Sequence, residues 1–446
     1  MERSCVKGEQ RSRINDLPDQ LLCHILSFLS TRDSVRSSVL SKRWRNLWLQ
    51  VPVFDLNSLQ FDEDVLGFIG FLDKFLESKE NLVLNRFKLI YHYVDIDDDD
   101  SFVESWIDAL VRRRVRHLDF QVNSDETELV WMPLSLYSCN TLVSLSLYHV
   151  ALCELEQDFP VSLPCLKIMH LERVIANLGR LISSCPVLEK LTMIRDSYEL
   201  LEIMCVRSKS LKSLALVIEA SGIDLLEDHA VEIEAPKLER MSLCDHLSRR
   251  IVIHSIAPSA VVQIDVNFNR EDGYTLLDQD DDDDDSKRTM ICNFLTGIST
   301  VCLMEISSDT LEVIHDYSKL ELLPQFCNLS WLHASFLESC WELLPTFLGC
   351  CPSLHTLVLE FEFDKVEWPI KLSYVPPCFV SSLKYVELST PVTTRTSGQM
   401  KLAIYFLRNC AALKKLTLSS ESFGGDIIKK IKKIPRRSRR CSIITG

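Results

Sequence analysis

The chain has 446 residues, is 46% hydrophobic and carries a formal net charge of −14. That length is ample for a well-buried core and for two or three domains, while the acidic balance makes it a poor general nucleic-acid binder. No run approaches the roughly 18 apolar residues that a membrane helix needs. The first residues, "MERSCVKGEQRSR", are polar and hold no apolar signal core, so secretion is not expected. Glu2 stands where N-myristoylation requires glycine. Residues 1–11 are expected to be disordered, and the chain to reside in the cytoplasm and/or nucleus.

Residues 12–58 predict three short helices. Leu17, Leu21, Leu22, Ile25, Leu26 and Leu29 follow the spacing of one helix face. Asp16 can cap its start, and Pro18 suits the first turn, where its missing N–H is harmless. Asp33 opens a second helix with Val35, Val39 and Leu40. Ser41 can cap a third, in which Trp44 and Trp48 stand one turn apart beside Leu47. Three helices this short cannot bury so many large apolar groups among themselves, so an apolar face should remain for another surface.

From residue 59 to 370 one element keeps returning: Φ-x-x-Φ-x-Φ, where Φ is apolar. Clear copies are Leu142/Leu145/Leu147, Leu166/Met169/Leu171, Leu188/Leu191/Met193, Leu211/Leu214/Leu216, Leu238/Met241/Leu243 and Leu354/Leu357/Leu359, with two more at Leu383/Val386/Leu388 and Leu413/Leu416/Leu418. Weaker copies start at Val51, Leu84, Val115, Val261, Ile298 and Leu329, and successive starts lie 22 to 37 residues apart. Such alternation predicts a short strand with one buried face, the rest of each repeat returning as helix or loop and stacked repeats sharing one core. "LGRLISSCPVLEKL" and "WELLPTFLGCCPSLHTL" read as short helices stopped by Cys-Pro. The residues between the apolar positions point outward, which places Tyr148, His170, Glu172, Lys190, Thr192 and Arg240 on a candidate substrate-binding face. Acidic tracts at 95–100 and 278–285 read as solvated loops inserted into long repeats. Neither has the turn glycine and terminal glutamate of an EF-hand, so no metal site is read from them.

None of the 17 cysteines forms a C-x-x-C pair. Cys139, Cys185, Cys351 and Cys410 each precede a repeat leucine by three, as buried thiols of a reducing compartment do. No G-x-G-x-x-G, phosphate loop, H-E-x-x-H or G-x-S-x-G occurs, so no catalytic residue and no cofactor is expected. The tail "KKIKKIPRRSRR", Lys429–Arg440, holds eight basic residues in twelve.

The repeat spacing resembles leucine-rich repeats. The usual Asn or Cys after the third apolar position is missing, since Tyr148 follows Leu147 and Val217 follows Leu216. An irregular solenoid is therefore expected. Residues 12–50 resemble an F-box: Leu-Pro opening the first helix, L-x-x-I-L-x-F-L, V-x-x-x-x-L-S-K-R-W and a closing W-x-x-L-W. Val375 to Ile443 is similar to the FBD module, through V-P-x-C, S-S-L-K, Y-F-L-x-N and P-R-x-S-x-x-C, with Met400 departing from a commonly acidic position. This order of modules resembles a large plant family of F-box/FBD/leucine-rich-repeat proteins. The resemblance implies an α/β architecture: a three-helix F-box over 12–58, an irregular, horseshoe-like solenoid over 59–370 and an FBD module over 371–446. It further implies a non-catalytic, substrate-recognition subunit of a Skp–cullin–F-box (SCF) ubiquitin ligase, with the F-box docking on the Skp adaptor and the remainder binding a target protein. Carried over by position, the docking face includes Leu17, Pro18, Leu21, Leu22, Ile25, Leu26, Val35, Val39, Leu40, Trp44 and Trp48, some of which must form the module's own core. The alternatives are a nuclear nucleic-acid- or chromatin-associated repeat protein using the basic tail, or an F-box protein acting outside the ligase.

Overall fold

A computed structural model describes residues 13–61, 64–77, 83–92, 101–123, 129–152, 159–175, 178–196, 203–219, 229–269, 284–361, 372, 374–389, 396–419 and 425–445. The expected disorder of residues 1–11 and the acidic tract at 95–100 lie outside these. Two compact units divide the chain at residues 176 and 177. Among the described residues no helix is long and apolar enough to cross a membrane.

The first unit opens with a 3₁₀ turn (Arg13–Asp16), α1 (Asp19–Leu26), α2 (Thr31–Arg36) and two further 3₁₀ segments, Ser37–Val39 and Trp44–Gln50. Two α-helices and 3₁₀ turns thus replace the three helices expected. The caps differ as well. Pro18 itself is the N-cap of α1, without a side-chain bond, and Asp16 ends the preceding turn. Ser30 caps α2 by accepting from the Asp33 N–H, while Asp33 takes the Ser30 hydroxyl at 2.9 Å. Arg43, not Ser41, precedes the last turn, and the Ser41 carbonyl accepts from the Trp44 N–H.

Strands follow: β1 (Val53–Asn57), α3 (Val65–Glu77), β2 (Arg86–His92), α4 (Ser101–Arg112), β3 (His117–Asn123), β4 (Val130–Met132), β5 (Ser144–Leu152) and β6 (Ile168–Ile175). They form a parallel sheet in the order β1-β2-β3-β5-β6, with β4 also beside β5. The register stacks the repeat's apolar positions in two rows. Phe54, Phe87, Leu118, Leu145 and Met169 form one, and Leu56, Leu89, Phe120, Leu147 and Leu171 the other. All ten are buried. Phe54 stacks on Phe87 at 4.9 Å and meets Phe75 of α3 at 4.4 Å.

The second unit holds α5 (Leu178–Ser183), β7 (Lys190–Asp196), β8 (Ile203–Arg207), β9 (Ser213–Glu219), β10 (Ala230–Glu234), β11 (Arg240–Asp245), β12 (Arg250–Ser255) and β13 (Val261–Val266). It continues with α6 (Asp284–Ile298), β14 (Leu303–Ile306), α7 (Ser308–Leu320), β15 (Trp331–Phe336), α8 (Leu343–Gly349), β16 (Thr356–Phe361) and α9 (Cys378–Ser381). Last come β17 (Tyr385–Ser389), α10 (Thr396–Asn409), β18 (Lys415–Leu418), α11 (Gly425–Lys432) and β19 (Ser442–Thr445). The main sheet is parallel, in the order β7-β9-β11-β13-β14-β15-β16-β17-β18-β19.

Three repeats return differently from the expected helix or loop: β8, β10 and β12 form a second parallel sheet. Their segments, "IMCVR", "AVEIE" and "RIVIHS", alternate with a period of two, the strand signature, and are too short for a buried helix. Two of the weaker repeat copies also shift. Val262 and Ile264 lie in register with Met241 and Leu243, and Met304 and Ile306 continue those rows, whereas Val261 and Leu303 face outward. Asp284 and Asp285, the last two residues of the second acidic tract, open α6 rather than a loop, and 278–283 lie outside the described residues.

Where the chain turns from helix into strand, α5 ends before Cys185-Pro186 and α8 before Cys350-Cys351-Pro352. The carbonyls of Cys139, Cys185 and Cys351 accept from the N–H of the leucine three residues on. The Cys185 and Cys351 thiols donate to Leu181 and Phe347 carbonyls of the helix just ended, each at 3.2 Å. Each of these carbonyls also accepts a backbone N–H, from Ser184 and Cys350 respectively, so the thiol adds a second bond at the helix end. In place of an Asn ladder, hydroxyls tie a turn to the repeat before it: Thr141 to the Val115 carbonyl at 3.0 Å, Ser210 to Leu188 at 2.9 Å and Ser438 to Leu413 at 2.6 Å.

Candidate functional site

The N-terminal helical module divides its apolar residues into two sets. Leu22, Cys23, Leu26, Trp44, Leu47 and Val51 form its core, with Leu17 packed against them. Polar bonds fix this core. The Trp44 indole N–H donates to Asn15 Oδ1 at 2.8 Å, the Ser34 hydroxyl to the Leu26 carbonyl at 3.1 Å, and the Arg43 guanidinium to Asp19 at 2.6 Å and to the Asn15 and Leu17 carbonyls. Leu22, Leu26 and Trp44 are therefore taken out of the expected docking face, because they are spent inside the module. Trp48 is only half-buried, yet it stacks on Phe71 of α3 at 5.5 Å and tethers the module to the first repeat.

The other set faces outward. Leu21 and Ile25 lie one turn apart on α1, exposed by 49% and 38%, and Phe28 follows at 77%. Val39 and Leu40, at the end of the second 3₁₀ segment, are exposed by 86% and 66%. Pro18 is exposed, and Leu17 and Val35 are half-buried. Phe28 and Leu29 were absent from the expected docking residues, although their helical phase, i+7 and i+8 from Leu21, continues the exposed stripe. His24 packs edge-on against the Phe28 ring at 5.0 Å.

The strand faces form the second candidate surface, described unit by unit. In the first unit, Tyr148, His170 and Glu172 come together as the alternation requires. The Tyr148 and His170 rings lie 5.0 Å apart, and His170 Nε2 is 3.4 Å from Glu172. Burial, followed by the Asp119 and Glu172 charges, raises the Tyr148 phenol above its ordinary pKa. On neighbouring strands a polar chain runs from Ser58 through His92 and Asn123 to Gln121, with contacts of 2.8 to 3.1 Å. Asp119, 4.0 Å from Lys88, has its pKa raised, foremost by burial.

In the second unit, Lys190 and Arg240 flank Ser213 in one row, and Thr192 pairs with Ala215 in the next. The sequence reading stopped at Arg240. The same alternation brings out Trp331 and His333 on β15, where His333 lies 3.6 Å from Glu305 and 3.3 Å from Glu360. Gln263 donates to Glu305 at 2.9 Å. The signal was present in the Leu329/Leu332/Ala334 copy, whose outward positions are these two aromatic side chains.

The C-terminal motif residues have structural partners. Cys378 is buried and its thiol lies 3.6 Å from the Leu348 carbonyl; Tyr405 donates its hydroxyl to the Tyr374 carbonyl at 2.8 Å, and Arg436 donates to the Cys441 carbonyl at 2.6 Å. Lys429, Lys430, Lys432 and Lys433 of the basic tail remain exposed.

The family models that match are the F-box domain over residues 14–56, the LRR repeats of FBD-associated F-box protein At5g56370 over 103–260 and FBD over 371–418. Among curated proteins of Arabidopsis thaliana, the F-box/FBD/LRR-repeat protein At1g80470 is 48% identical over 96% of this chain and 90% of its own length. The FBD-associated F-box protein At1g60410 is 44% identical over 94% and 100%, respectively. The F-box/FBD/LRR-repeat protein At2g26030 is 40% identical over 97% and 98%.

Proposed function

Because the chain belongs to the F-box/FBD/LRR-repeat family, we propose that it is the substrate-recognition subunit of an SCF-type ubiquitin ligase. The F-box, over 12–58, docks on the Skp adaptor and through it on the cullin. The repeats over 59–370, an irregular solenoid, and the FBD module over 371–446 bind a target protein in the cytoplasm or nucleus. The chain catalyses no bond itself. It raises the effective concentration of target beside the charged ligase.

The observation that carries this reading is the outward set of the F-box. Leu21, Ile25, Phe28, Val39 and Leu40 are exposed beside a core that is already closed without them. Covering each contributes about 1.5–3 kcal/mol. Together the five supply about 7.5–15 kcal/mol at most, from which the cost of association is subtracted. The docking set thus becomes Pro18, Leu21, Ile25, Phe28, Val39 and Leu40, with Leu17 and Val35 at its edge.

The test is capture of a purified Skp-type adaptor by the full chain carrying Val39→Asp and Leu40→Asp. Neither side chain supports the core, so the melting temperature should hold within a few degrees while affinity falls at least about 100-fold. Unchanged affinity in this folded variant would falsify the docking assignment.

A further inference from the structure

Among the described residues, Cys244, His246 and Asp265 are the one group of three His, Cys, Asp or Glu side chains whose ligand atoms all lie within 4.8 Å of one another. We infer that these three side chains form a zinc site, its fourth position open to solvent. The sequence reading expected no metal. The ligands come from the ends of two neighbouring strands, so no linear spacing announces all three.

The fold builds the group in steps. β11 and β13 are parallel neighbours, and Cys244 lies in register with Asp265. Leu243 and Ile264 point into the core, so both ligand side chains face the other way. At the end of β11, Asp245 is fully buried, and its Oδ1 accepts from the Leu247 and Ser248 N–H groups at 3.0 and 2.9 Å. That tight turn brings His246 back beside Cys244. The Asp265 carboxylate then spans the gap: Oδ1 is 3.0 Å from His246 Nε2, and Oδ2 is 3.6 Å from Cys244 Sγ. Asp309, in the first turn of α7, lies outside the group, with its Oδ2 3.9 Å from the same imidazole nitrogen. Ser307, the N-cap of α7, bonds Asp265 from outside the group, in the manner of the outer partners that orient metal ligands.

These separations are those of a small tetrahedron. With zinc bonds of about 2.0–2.1 Å to nitrogen, 2.0–2.2 Å to oxygen and 2.3 Å to sulfur, tetrahedral edges are about 3.4 Å for N···O and about 3.6 Å for S···O. The N···O distance of 3.0 Å and the S···O distance of 3.6 Å, made by the two oxygens of the one Asp265 carboxylate, lie close to these edges, and the ion would take one of the two oxygens. The donor set selects the metal. Calcium and magnesium require oxygen ligands throughout, whereas thiolate, imidazole and carboxylate together suit zinc. One carboxylate and one thiolate together carry two negative charges, balancing the charge of the zinc ion. With three positions filled by the chain, zinc clamps the end of β11 to its neighbour β13.

The test uses the full chain, stripped with a chelator and titrated with cobalt(II) as a probe for zinc. One equivalent should produce the intense visible bands of tetrahedral cobalt and a near-ultraviolet thiolate-to-cobalt band, both removed by added zinc. Cys244→Ser should abolish the thiolate band, and His246→Gln should weaken zinc binding at least about 100-fold, more than the 10- to 100-fold that loss of an outer partner costs. A chain with the exposed thiols replaced, Cys165→Ser, Cys292→Ser and Cys327→Ser, should keep the band. The inference is overturned if the intact chain gives no thiolate band at one equivalent. It is equally overturned if the band survives Cys244→Ser, or if His246→Gln, half-exposed and outside the core, binds cobalt as the intact chain does.

Discussion

His315 sits on the inward side of α7, 9% exposed, and burial lowers its pKa below the ordinary 6.5, with Lys319 pushing the same way and Asp316, Glu342 and Glu312 opposing. A base whose folded pKa is depressed binds its proton more readily when unfolded. Its contribution to stability is therefore intact above pH 6.5 and is lost as pH falls from there toward the lower folded value. His117 and His149 are lowered too, first by burial, and act in the same sense. Denaturant midpoints measured above and below pH 6.5 should converge in His315→Gln relative to the parent. A variant whose midpoint falls as steeply as the parent's would show that His315 is not the buried base assigned here. The thiols give a second residue-level outcome. Burial pushes Cys185 and Cys378 up to about 12 and raises Cys351 and Cys410 well above the ordinary range. Alkylation of the native chain at neutral pH should mark the exposed Cys165 and Cys327 and spare these four, because only a thiolate reacts. Labelling of Cys185 at the rate of Cys165 would contradict that burial. The C-x-x-L spacing was legible because a small apolar side chain is required at the turn. The thiol's bond to a helix-end carbonyl was not, since it needs the helix to be in place.

Gly297, near the end of α6, shows how closely an element can be held. A Cβ at this position would meet the Ile253 carbonyl oxygen of β12 at 2.6 Å and its Cβ at 2.8 Å, and neither backbone nor Cβ can swing aside. Gly297→Ala should therefore destabilise the chain by about 1–3 kcal/mol despite alanine's better helix propensity, read as a lower denaturant midpoint. A neutral or raised midpoint would mean that α6 can slide on β12. The elements differ in how far the sequence announced them. Strands of the main sheets were legible because every second residue is caught between the same two neighbours, so Leu145 and Leu147 have one possible side. The first helix was legible only as an arc. At 3.6 residues per turn Leu21, Ile25, Leu22 and Leu26 span about 140°, and nothing local says which half meets Trp44 and Leu47. The strands β8, β10 and β12 carry the alternation of a strand but lie between the repeat's own Φ-x-x-Φ-x-Φ copies, where helix or loop was expected. Ser30 was overlooked as a cap because Asp33, three residues on, is itself a good cap residue. The structure uses both, one bonding the other.

At the scale of the whole chain, the proposed function requires two surfaces to serve one outcome. In that proposal the exposed F-box residues Val39 and Leu40 are assigned to the ligase, and outward residues such as Tyr148, His170 and Arg240 to the target. Coupling between them is proximity, and proximity exists only within one molecule: a target bound to one chain gains nothing from a ligase bound to another. The two functions should thus separate cleanly by mutation. Val39→Asp with Leu40→Asp should lose adaptor capture and keep the bound target set. Tyr148→Ala, His170→Ala and Arg240→Ala together should keep adaptor capture and lose targets, since each side chain lies off the buried rows of Leu145, Leu147, Met169 and Met241 and its removal opens no cavity in them. Either variant alone should abolish target ubiquitination in cells lacking the parent chain. Expressed together, they should fail to restore it, although every surface is then present in the cell. Restoration by the pair would show that ligase and target meet across a dimer of chains, and unchanged targets in the triple variant would move recognition off these strand faces.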